Sequence, residues 1–93
     1  MARIIYPNGT EQPVYPRKGG AFELKDLQQL VGGYIELVSR HSVRGLPPDT
    51  QCLVNEEGIT LGLDPNPRAS QLVGNDHQIV GPMVILQGKE RMK

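Results

Sequence analysis

Three short stretches of this 93-residue chain hold side chains able to do chemistry. The first is DPNPRAS, where Asn66, Pro67, Arg68 and Ser70 stand together. Asparagine is a favoured helix N-cap and proline suits the first helical position, so the stretch predicts a short helix opening at Asn66. The first amides of a helix have no internal partner and carry partial positive charge, which suits a phosphate. Arg68 can add a bidentate contact and Ser70 a hydroxyl. The plainer alternative is an ordinary capped helix with a solvated arginine. The second stretch is YIELVS, in which Tyr34 and Glu36 fall on one face of a strand. A tyrosine can stack on a base, and a carboxylate can accept from a ribose hydroxyl or an exocyclic amine. Its alternative is a half-buried sheet position beside an exposed one. The third is the basic loop of Arg40, His41 and Arg44, which can close over an anion or stay solvated.

Other chemistries find less. In NEEG, Asn55, Glu56 and Glu57 offer oxygen ligands, but calcium needs more oxygens than follow before Asp64, so the segment reads as a turn. Asp76 and His77 are adjacent, and adjacent side chains rarely aim at a common centre. His41 and His77 are the only histidines, so a His-rich metal site is excluded. Cys52 is the only cysteine, which rules out an intramolecular disulfide and a Cys-type zinc site. Between apolar neighbours it predicts a buried, inert thiol. P-loop, Rossmann and nucleophile-elbow patterns are missing. The expectation is a non-enzymatic protein with no metal and no cofactor. A formal charge of zero argues against general DNA binding, which needs a basic surplus. The basic cluster at 89–93 reads as a solvated tail. No apolar run suits a signal peptide or a membrane span, so the chain reads as cytoplasmic.

The elements that must position these residues follow from periodicity and turn chemistry. Residues 2–6 predict a strand, Asn8-Gly9 a tight hairpin turn, and residues 12–15 a returning strand. Pro7, Pro13 and Pro16 put at least part of this hairpin on a sheet edge, because proline cannot donate to a ladder. Residues 21–31 predict the main helix, with Leu24, Leu27, Leu30 and Val31 on one face and no good N-cap side chain. Gly32 suits the left-handed residue that ends a helix, and Gly33 lets the chain reverse close to that end. Residues 34–39 then alternate as a strand, Ile35 and Leu37 turned towards the helix. Residues 40–50 predict a loop, 51–55 a strand, and 59–63 a short strand or irregular piece. The Asn66 helix, ending near Gly74, leads to a last strand within 77–87, with Gly81-Pro82 inside it as a bulge or edge. The fold class is α+β, a single domain over 1–93: one mixed sheet with one main helix packed across it, in the order ββαββ-short helix-β. A β-grasp arrangement is compatible with that order. Few aromatics and many glycines and prolines leave a thin core, which favours a homo-oligomer.

The segments LQQLVGGYIELV, LVNEEGITLGLDPNPRA and IVGPMVIL, read together over 27–86, resemble a family of small phage- and mobile-element-associated proteins classed as a domain of unknown function. Its signatures are VGGYIE, NEEG, GLxxN and IxG; here Asp64-Pro65 stands where PP or PL is common. The resemblance implies a phage accessory protein in the bacterial host cytoplasm. Small phage proteins counter host defence either by sequestering cyclic nucleotide or ADP-ribose-type immune signals or by binding a host protein. The expectation is a sponge for a phosphate-bearing nucleotide, with Tyr34, Glu36, Arg40, Asn66, Arg68 and Ser70 as ligand-binding residues. The alternative is an adaptor or inhibitor that binds a host factor through a sheet edge.

Overall fold

The computed structural model describes residues 2–16, 22–38, 46, 49–74 and 78–88. A hairpin of β1 (Arg3–Ile5) and β2 (Glu11–Pro13) leads into α1 (Leu24–Val31) and β3 (Ile35–Leu37). Then follow β4 (Thr50–Asn55), α2 (Pro67–Leu72) and β5 (Met83–Gln87). The strands form one sheet in the order β2-β1-β5-β4-β3, so the α+β class is as expected. The sheet itself is not mixed. Every described pairing is antiparallel, without the parallel neighbours of a β-grasp. The cause is connectivity. α1 carries the chain from one edge strand, β2, to the opposite edge, β3, and β4 and β5 then fill the space between. β2 and β3 run the same way but are never neighbours.

The sheet is covered on both faces. Leu27 and Val31 of α1 bury against Ile4, Leu53, Val84 and Leu86. On the other face Ala69 of α2 and Val73 bury against Ile5, Cys52, Val54, Met83 and Ile85. The short helix thus supplies a layer of its own opposite the main helix. Successive side chains of a strand point to opposite faces, so a strand between two helices must be apolar at every position. β5 obeys this: Met83, Val84, Ile85 and Leu86 are all fully buried.

Local chemistry sets the ends of the elements. Tyr6 N–H donates to Thr10 O at 2.8 Å and Thr10 N–H to Asn8 Oδ1 at 2.9 Å, so the Asn8-Gly9 turn spans a three-residue loop and β2 starts sooner than its sequence suggests. Glu23 precedes α1 in an extended conformation with no side-chain cap bond. Gly32 ends α1 at φ 81°, the left-handed region that glycine enters without a Cβ clash. The segment 59–62 is turn, not strand, and Gly81-Pro82 stands before β5 instead of inside it.

Candidate functional site

The start of α2 forms as expected, and its polar groups are turned inward. Asn66 is fully buried. Its Oδ1 accepts from Ala69 N–H at 3.2 Å, capping the helix. Both Nδ2 protons are donated, to Ile5 O and to Gly81 O, each at 2.9 Å. Its backbone N–H donates to Ile79 O at 2.7 Å. Ser70 Oγ donates to Asn66 O at 2.9 Å and accepts from Ile79 N–H at 2.9 Å. One asparagine thereby ties α2 to β1 and to the segment that leads into β5. Arg68 reaches across the sheet face to Glu11 of β2, and Arg3 Nε lies 3.2 Å from the other oxygen of that carboxylate without forming an aligned hydrogen bond. The phosphate reading of this helix start therefore finds no support in Asn66 or Ser70, and its arginine is already held by a carboxylate.

Tyr34 and Glu36 lie at the opposite edge of the sheet. Glu56 N–H donates to Tyr34 O at 2.8 Å and Val38 N–H to Cys52 O at 2.9 Å. Antiparallel hydrogen-bonded pairs recur at every second residue, so Tyr34, Glu36 and Val38 turn their backbone groups towards β4. Ile35 and Leu37 turn theirs outward, where no described residue pairs with them. Side chains on this edge are open as well: Tyr34 is 64% exposed and Leu37 50%. Leu37 pairs with Leu53 on the α1 face, as its alternation predicts, but is half exposed at the sheet margin.

Beside this edge, on the α2 face, is a cleft of about 510 Å³. It is lined by Glu36 and Val38 of the edge, by Val54, by Glu56 and Ile59 of the turn after β4, and by Ile79 of the segment before β5. The turn can approach Val80 because residue 58 is glycine: a Cβ there would meet Val80 Cγ2 at 2.8 Å. Glu36 and Glu56 are exposed carboxylates, and no basic side chain lines the cleft among the described residues. The structure thus brings Tyr34 and Glu36 to one edge and sets Asn66, Arg68 and Ser70 apart from them. Arg40, with His41, Arg44, Asp76 and His77, lies outside the described residues.

NEEG is a turn, as read: Asn55 Oδ1 accepts from Glu57 N–H at 2.7 Å and closes it. Among the described residues no three His, Cys, Asp or Glu side chains converge to hold a metal ion. Cys52 is buried, and desolvation raises its thiol pKa from 9.0 to about 11 despite the opposing charge of Arg3, so it is no nucleophile at neutral pH. Glu56, Ile59 and Leu37 join the edge and the cleft without a sequence signal of their own. Their grouping depends on which strand is last in the sheet, and no local pattern states that. No helix among the described residues is long and apolar enough to cross a membrane.

A family model described as a domain of unknown function, DUF3846, matches residues 2–93. No curated protein and no solved structure matches the chain.

Proposed function

The chain belongs to the domain-of-unknown-function family DUF3846, and we propose that it is a non-enzymatic protein-binding adaptor or inhibitor that takes an extended segment of another polypeptide along the outer edge of β3. One observation carries the proposal: Ile35 and Leu37 offer outward backbone donors and acceptors, the template for strand addition. The two edges of the sheet differ in this respect. On β2 the bonds Tyr6 N–H to Thr10 O and Val14 N–H to Ala2 O leave Glu11 and Pro13 facing outward, and Pro13 has no N–H to give. Native sheets blunt their edges in this way; β3 carries no proline and its Leu37 side chain is half exposed. A phage or mobile-element setting and the bacterial cytoplasm belong to the same proposal and rest on the resemblance of the signature segments.

The sponge reading keeps Tyr34 and Glu36 as support but loses the helix start. Leu37→Pro separates the two readings. It deletes an outward N–H and no bond to β4, so the fold persists, checked by circular dichroism. Peptides selected by display on the intact protein are expected to bind it and to lose Leu37→Pro, while Leu37→Thr, which keeps the N–H, still binds. Binding untouched by the proline, or no selected peptide at all, overturns the proposal. A cyclic dinucleotide or ADP-ribose isomer that raises the melting temperature supports the sponge instead.

A further inference from the structure

We infer that the segment added to β3 carries a lysine or arginine that enters the cleft and sits between Glu36 and Glu56. The inference rests on the strand-addition reading and names its partner by charge. Glu36 pairs with Val54 in the ladder, and Glu56, the first residue of the turn after β4, stays opposite Tyr34 through its N–H and lines the same cleft. The two carboxylates are therefore diagonal neighbours, with Cα atoms about 7–8 Å apart. A residue on an incoming strand opposite Glu36 faces it directly across the new ladder.

The described cations do not answer these charges. Arg3 and Arg68 are engaged by Glu11, at the β2 side of the sheet. Lys25 belongs to α1, which covers the other face. The same cleft is lined by Val38 and Val54. A long basic side chain matches that combination, its aliphatic stem on the valines and its charged head at the two carboxylates. An acidic side chain in the same place meets like charge. Because β-strand side chains alternate, only every second residue of the added segment faces the cleft, so the basic preference falls on one alternating set of positions.

The test is the display selection itself, run on the intact chain with unbiased peptides and repeated on the Glu36→Gln/Glu56→Gln double variant. Both substitutions are at exposed positions and leave the backbone ladder intact. The expected result is enrichment of Lys or Arg at one alternating set of positions on the wild type and none on the double variant. A selected lysine peptide is expected to bind the double variant at least tenfold more weakly by fluorescence anisotropy, with the difference shrinking in high salt. Peptides that need the Leu37 N–H but show no basic enrichment, or that keep it on the double variant, overturn this inference and leave strand addition standing. A concentration-dependent dimer in sedimentation velocity that Leu37→Pro dissolves puts a second copy on the edge and also overturns it. Binding indifferent to Leu37→Pro removes strand addition and this inference together.

Discussion

A Cβ on Gly33 would stand 3.0 Å from Asn55 Nδ2, the same nitrogen that donates to Val31 O, at the end of α1, at 3.1 Å. The second glycine of the pair thus makes room for an asparagine that joins the helix to the end of β4. Gly33→Ala is expected to displace that amide and cost about 1–2 kcal/mol, the worth of a buried polar group losing its partner. Urea denaturation measures it. In an Asn55→Ala background the same substitution is expected to cost clearly less, because the clash and the bond are one feature.

Asn66 is expected to behave as a fold determinant. Asn66→Ala removes a helix cap and leaves the carbonyls of Ile5 and Gly81 without their side-chain donor. The loss is expected to reach about 3 kcal/mol or more in chemical denaturation. Arg68→Ala should cost less than about 1 kcal/mol, since its ion pair with Glu11 is solvent-screened and the Arg68 side chain is 55% exposed.

Much of the fold was legible because its signals are local. The Gly32 helix end, the Asn8-Gly9 turn and the Asn66-Pro67 helix start each depend on residues adjacent in sequence, and each formed where the chemistry put it. The unbroken apolar run MVIL also signals a strand covered on both faces. The candidate site was legible only in part. That Asn66 caps a helix is written beside it; that its Nδ2 reaches a carbonyl in β1 is a contact across 61 positions with no local trace. Likewise the alternation puts Glu36 on a strand with Tyr34 just before it, but their place on the open edge follows from the strand order, which has no local trace.

Cys52 sets a pH dependence. Its folded-state pKa of about 11 lies above the free value of 9.0. The folded form therefore holds its proton where the unfolded form has begun to release it. Its contribution is fully present below about pH 9 and is lost as the pH rises through about 11, on the order of 2 kcal/mol in all. Melting temperatures of wild type and Cys52→Ala, compared from pH 8 upward, are expected to fall more steeply for the wild type over roughly that window.

Gly58→Ala tests the wall of the cleft. The added methyl must push on Val80 Cγ2, 2.8 Å away, and overpacking of this kind costs about 1–3 kcal/mol. Adding Val80→Ala removes the colliding group, so the double variant is expected to recover part of the lost melting temperature in a thermal scan.

The position of β5 constrains how the molecule is made. Its residues, Met83–Gln87, are the last to be synthesised among the described strands, yet they lie between β1 and β4 and pair with both. Until they leave the ribosome, the hairpin and the β3–β4 pair have no shared neighbour, and each offers a long bare margin. Folding must then close a loop from the first strand to the last, a slow kind of step in the formation of any sheet. Placing the latest of the described strands at the centre of the sheet puts the cost on assembly and not on the finished structure.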